Sequence, residues 1–131
     1  MRAEIILELM KKSLDYVKTY GDDSMCYYNL GLSDGWVSGF FDVLKSQKEG
    51  KHTLESIQSI DDHKVYDDIE DRYVLAISKK GWEFAKAFRK DNDEDYQSGL
   101  AEGWSDGFYR ALKIFNLLDG DLEAFIEKIE L

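Results

Sequence analysis

Four carboxylates carry the sharpest chemical pattern in the chain. Asp91, Asp93, Asp95 and Glu102 occupy places one, three, five and twelve of the run DNDEDYQSGLAE. Oxygens at that spacing can close around a calcium ion. The other candidates are sparser. The two histidines, His52 and His63, sit in no partnered motif. With one cysteine and two histidines, a four-ligand zinc site would have to borrow carboxylates. Cys26 stands alone, which excludes an internal disulfide framework, and it reads as a small buried residue rather than a nucleophile. Asp34 and Glu102 hold equivalent places in a repeated segment and could meet across an axis, although solvent-facing acids are the ordinary case on a helix. The glycines form no phosphate cradle, because no Gly-Lys-Ser/Thr follows them. These residues predict no catalytic centre, no cofactor and no metal.

Over that one loop, the acidic run resembles the calcium loop of EF-hand proteins. WEFAKAFRK stands before it where an entering helix would be. The run departs from the pattern where the loop must turn: Tyr96 takes the sixth place, which calls for glycine, and Ser98 the eighth. A calcium loop also conflicts with the repeat, because residues 96–113 belong to a repeated helical segment. Asp91 to Asp95 are therefore read as the acidic start of that helix, where negative charge complements the dipole.

The repeated segment is the organising element. GLSDGWVSGFFDVLK, residues 31–45, returns as GLAEGWSDGFYRALK, residues 99–113, with eight of fifteen positions identical. Unrelated segments would share about one. Gly31, Gly35 and Gly39 recur every fourth residue, as do Gly99, Gly103 and Gly107. On a helix that spacing makes one row. A bulky row runs beside each: Tyr28, Leu32, Trp36, Phe40 and Leu44, then Tyr96, Leu100, Trp104, Phe108 and Leu112. An interior glycine costs about 1 kcal/mol relative to alanine, hence about 3 kcal/mol per helix. Close approach of another backbone can offset that. Small residues at this spacing are best known where helices pack in membranes, but Asp34, Asp42, Glu102, Asp106 and Arg110 lie inside these segments and rule out bilayer spans. The two glycine rows are expected to face each other across a pseudo-twofold axis, with Trp36 and Trp104 flanking the crossing.

Residues 2–20 carry Ile6, Leu9, Met10, Leu14 and Val17 at the spacing of an amphipathic helix. Gly21 is a plausible stop, and Asp22, Asp23 and Ser24 are N-cap candidates for the glycine helix, which ends by Gly50. Thr53 is placed to cap a short helix with Leu54, Ile57 and Ile60 inward. Shifted by 68 residues, Ile5, Ile6, Leu7, Leu9, Leu14, Tyr16, Val17 and Tyr20 fall on Tyr73, Val74, Leu75, Ile77, Trp82, Phe84, Ala85 and Phe88, all apolar or aromatic. Thr53, Leu54, Glu55 and Ile57 fall on Asp121, Leu122, Glu123 and Phe125. The prediction is an all-α single domain over residues 1–131, built as two tandem pseudo-symmetric units. Each unit is a long helix, a glycine helix and a short helix, one over about 1–65 and the other about 69–131. Taken alone, residues 72–88 could form two strands around a turn; their match to 4–20 selects helix, with Gly81 as a kink point. Proline is absent, which suits long helices.

The net charge is −10. Splitting at residue 68 gives 8 basic against 13 acidic residues, then 9 against 14, so each half is −5. That balance removes the electrostatic term that drives direct nucleic-acid binding. It favours a protein partner with a basic surface, though solubility alone would also account for it. No apolar run approaches membrane-spanning length and no leader-like segment opens the chain, which points to the cytoplasm. The run DDHKVYDDIED, residues 61–71, reads as a linker or as an acidic contact surface formed by Asp61, Asp62, Asp67, Asp68, Glu70 and Asp71. The expected function is a small acidic interaction protein, monomer or homodimer. In its more specific form it is an inhibitor that covers a basic, nucleic-acid-binding surface, as small acidic phage anti-defence and toxin-immunity proteins do. The alternative is a homo-oligomerising helical scaffold.

Overall fold

The computed structural model describes residues 3–23, 26–48, 50–60, 69–88, 93–118 and 120–131. Within them the chain forms α1 (Ala3–Tyr20), α2 (Cys26–Leu44), α3 (Lys51–Gln58), α4 (Asp71–Ala87), α5 (Glu94–Ile114) and α6 (Leu122–Lys128), packed as a bundle. No described residue is in a strand. Residues 72–87, which could pair as strands when read alone, lie in one helix because their apolar positions have a tertiary surface to pack on.

α2 and α5 form the centre. A Cβ added at Gly31 would lie 2.8 Å from the amide nitrogen of Leu100; at Gly35, 2.7 Å from that of Trp104; at Gly39, 2.9 Å from that of Phe108. The contacts advance in the same direction along both helices, so α2 and α5 run parallel. From the other side Gly99 abuts Tyr28 and Leu32, Gly103 abuts Leu32 and Trp36, and Gly107 abuts Trp36. Each glycine row thus lies against backbone, not against side chains. This contact offsets the intrinsic cost of so many helical glycines.

The bulky rows form the core beside that seam. Leu32, Trp36, Phe40, Leu44, Tyr96, Leu100, Trp104, Phe108 and Leu112 are buried, while Tyr28 is half-buried. Trp36 stacks on Phe40 at 5.4 Å between ring centres and Trp104 on Phe108 at 4.7 Å. α1 packs on α2 and α3, and α4 on α5 and α6. Gly81 lies inside α4, whose span runs past it without a break. Its added Cβ would meet the carbonyl oxygen of Ala101 at 2.7 Å, so its role is close approach to α5.

Helix starts follow local chemistry in part. Asp93 caps α5, its carboxylate accepting from the Tyr96 amide at 3.0 Å, and Asp121 caps α6 through the Ala124 amide at 3.3 Å. Thr53 does not cap α3. Gly50 holds the N-cap position, and Thr53 is buried with a hydroxyl that finds no partner among the described residues. The core claims its methyl group, and the hydroxyl goes with it. Asp22 and Asn29 close the α1–α2 turn, with the Asp22 amide donating to the Asn29 side-chain oxygen at 2.9 Å and the Asn29 amide nitrogen donating back to the Asp22 carbonyl at 2.8 Å.

Candidate functional site

The face that α1 buries is not the one its most regular apolar spacing suggests. Ile5, Leu9, Ser13 and Tyr16 are buried. Ile6, Leu7, Met10 and Leu14 point away from the core: Leu7 is 57% exposed, Met10 50% and Leu14 56%. At 100° per residue the apolar arc of α1, from Ile5 around to Leu7, covers about 200°, roughly twice what one core-facing stripe requires. The bundle covers half of it.

Beside this face lies a groove of about 370 Å³, lined by Ile6, Met10 and Leu14 of α1, Val37, Ser38 and Asp34 of α2, and Phe88 after α4. Ser13 and Ser33 also line it. Ser13 and Ser33 meet at 3.0 Å between oxygens, and Ser13 donates to the Met10 carbonyl at 2.8 Å, which leaves Ser33 as the donor between them. α1 and α2 thus meet here through side-chain hydroxyls. Sixty-eight residues on, Gly81 and Ala101 stand in place of Ser13 and Ser33, and there α4 sits on the backbone of α5. From Ile6 to Leu14 the helix rises about 12 Å, room for two turns of another helix.

The carboxylates inside the glycine helices do structural work. The Tyr96 hydroxyl donates to Asp34 at 2.7 Å, and the Tyr28 hydroxyl donates to Glu102. Each tyrosine therefore reaches from one glycine helix to an acid of the other, at sequence positions exchanged by the 68-residue offset. Tyr16 donates to Asp106 from α1. Trp104 Nε1 donates to Asp42 at 2.8 Å, and Lys45 lies 3.3 Å from the same carboxylate. Burial, then the nearby Asp106 carboxylate, raises the Tyr16 hydroxyl well above the ordinary tyrosine range. Burial and the bond to Glu102 raise that of Tyr28. Both phenols stay protonated and act as fixed donors. Asp34 and Glu102 serve as acceptors for these phenols on opposite helices.

The acidic run divides. Asp61, Asp62, Asp67 and Asp68 lie outside the described residues, as do His63 and Asp91 and the side chain of Cys26. Glu70 precedes α4 and accepts from Arg72 Nε at 2.7 Å; Arg72 also reaches Glu123 at 3.6 Å. Asp71 is exposed on the first turn of α4. His52 is exposed at the start of α3. α5 is helical from Glu94, so Glu102 sits more than two turns into a helix instead of closing a loop over Asp93 and Asp95. No group of three or more metal-ligating side chains is found among the described residues, and none of the described helices is long and apolar enough to cross a membrane.

Charge is less even than the sequence halves imply. α1 carries Glu4, Glu8 and Asp15 against Lys11, Lys12 and Lys18, a balance of zero. α4 carries Asp71 and Glu83 against Arg72, Lys79, Lys80 and Lys86, a balance of +2. The excess acid therefore resides outside these two helices. Their outer faces also share a pattern. Leu75, 72% exposed, and Trp82, 49% exposed, are the 68-residue counterparts of Leu7 and Leu14, and Lys79 and Lys86 those of Lys11 and Lys18. The exposed set Ile6, Leu7, Met10 and Leu14 is the part of the site that periodicity alone does not assign. The width of the α1 apolar arc was the available signal.

Comparison with known proteins finds no matching family model, no matching curated protein and no matching solved structure.

Proposed function

We propose that the chain is a non-catalytic protein-interaction module of two tandem three-helix units related by a pseudo-twofold axis. Support for the tandem reading comes from the exchanged tyrosine–acid pairs, Tyr28 with Glu102 and Tyr96 with Asp34, and from the order long, glycine-bearing, short in both halves. The observation that carries the interaction reading is the uncovered apolar face of α1, Ile6, Leu7, Met10 and Leu14, with a groove at its edge. Apolar side chains grouped in this way mark contact surfaces in soluble proteins, and anchors four residues apart fit helix-in-groove recognition.

In its more specific form the module is an acidic cytoplasmic inhibitor that covers a basic surface of another protein. The net charge of −10 would speed that encounter, and Asp61, Asp62, Asp67, Asp68, Glu70 and Asp71 would meet the partner's cations. Capture from the native host tests this with three baits: wild type, Leu14→Glu, and a chain with those six acids replaced by Asn or Gln. A partner lost with Leu14→Glu, and bound with a flatter salt dependence by the neutralised chain, supports the reading. Partners retained unchanged by both variants refute it. A second reading, homo-oligomerisation, is favoured by one observation: the zero charge balance of α1 in an otherwise acidic chain.

A further inference from the structure

We propose that the exposed face of α1 is the interface of an antiparallel homodimer, α1 packing on α1 of a second copy. The proposal rests on the reading of α1 as a docking surface and names its occupant.

Leu7, Met10, Leu14 and Val17 follow one another at intervals of three, four and three residues. That is the a/d spacing of a coiled-coil seam. Leu7, Met10 and Leu14 are exposed and Val17 is half-buried at the edge of the core. The seam therefore runs along the flank of α1 that the bundle leaves open. A straight helix laid along this flank meets that seam throughout its length.

Charge decides the occupant and its direction. Two bodies of −10 repel, so self-association needs a face where the charge vanishes, and α1 has a balance of zero. Glu4, Lys11 and Lys18 occupy the same heptad position, one place after each d residue. In a parallel pair each would lie beside the partner's preceding or following g position, and those are Ile6, Ser13 and Tyr20, so no charge is matched. In an antiparallel pair Glu4 meets the partner's Lys18, Lys18 meets the partner's Glu4, and only Lys11 faces its like. Lys11 already leans on Glu8 at 3.3 Å. The same register sets Leu7 against the partner's Val17 and Met10 against the partner's Leu14. Every contact except the Lys11 pair on the axis is made twice, which gives a closed twofold dimer and no filament. With one helix face per copy, the buried area is on the order of 1,000 Å², the size of a weak and reversible dimer.

Sedimentation equilibrium from micromolar to millimolar protein tests this. The wild type is expected to move from 15.2 kDa toward twice that mass, and its dissociation constant to fall as salt screens the net repulsion. Leu14→Glu is expected to be monomeric throughout with an unchanged circular dichroism spectrum, since the side chain is half in water already. Glu4→Lys lowers the net negative charge, yet it is expected to weaken the dimer about tenfold by opposing two lysines twice. Glu4→Lys with Lys18→Glu should restore it. A wild type monomeric at every concentration overturns the proposal, as does a dimer indifferent to Leu14→Glu. Failure of the double swap to recover affinity overturns the antiparallel arrangement. If the chain is monomeric but Leu14→Glu still abolishes capture of a different protein, the dimer is refuted while the docking face stands.

Discussion

Alanine in place of Gly35 or Gly103 tests the central packing by the sign of its effect. In an open helix the change from glycine to alanine gains about 1 kcal/mol. Here the new Cβ at Gly35 would lie 2.7 Å from the Trp104 amide nitrogen and 3.0 Å from the Leu100 carbonyl carbon. At Gly103 it would lie 2.9 Å from both the Leu32 carbonyl carbon and the Trp36 amide nitrogen. Ordinary contacts between non-bonded heavy atoms are about 3.5–4.0 Å, so the helices must part by roughly 1 Å. The obstacle is backbone, which has no rotamer to change, so the strain falls near the top of the usual range for overpacking, about 3 kcal/mol. Subtracting the helical gain leaves a net loss of about 2 kcal/mol. For a chain of this length that lowers Tm by about 8 °C. Gly120 supplies the control, because among the described residues nothing lies within 4 Å of its added Cβ; Gly120→Ala is expected to leave Tm within about 2 °C. The double variant should lose less than the sum of the singles, since the first separation relieves the second. Thermal unfolding followed by circular dichroism reads all four. A Tm for Gly35→Ala or Gly103→Ala equal to or above wild type would refute the argument.

Other substitutions probe the ties around that seam. Tyr96→Phe removes the donor to Asp34 and should cost about 1–2 kcal/mol in urea unfolding; Tyr28→Phe should cost less, its side chain being half-buried. Gly81→Ala should lower Tm, because the Cβ would press on the Ala101 carbonyl oxygen at 2.7 Å; an unchanged melt would mean that α4 sits farther from α5. The raised Tyr16 and Tyr28 hydroxyls contribute stability that is fully present below about pH 10, the unfolded tyrosine value, and is lost as pH rises above it. Tyr16→Phe should flatten that alkaline fall in a pH series of unfolding midpoints; an unaltered slope would mean that Tyr16 is not its source.

Much of the helical content was legible before any coordinates. A helical row of glycine is too costly to keep without a backbone to meet it, so the spacing at Gly31, Gly35 and Gly39, repeated at Gly99, Gly103 and Gly107, already called for close helix contact. The acidic run Asp91 to Asp95 marked a helix start in the same local way, and within it Asp93 is the cap; Asp121 was reached only through the repeat, as the counterpart of Thr53. Thr53 misled, because a threonine just ahead of an apolar helical pattern reads as a cap until the core takes its methyl group. The candidate site was hidden for a similar reason. The α1 arc held enough apolar positions for two faces, and local periodicity cannot say which face another helix will cover.

The chain's own order of residues determined that it would be helical, where the small and bulky rows would run, and that the excess charge would be negative. Those properties are local or additive, and each follows from neighbours within a few positions. Tertiary structure alone decided the parallel sense of α2 and α5, the pairing of Tyr28 with Glu102 and Tyr96 with Asp34, and the rotation of α1 that leaves Leu7, Met10 and Leu14 in water. Each of these depends on which of several equally apolar surfaces packs most closely. Such contacts join residues far apart in sequence, as where Ser13 meets Ser33 between α1 and α2 and Gly81 meets the Ala101 carbonyl between α4 and α5.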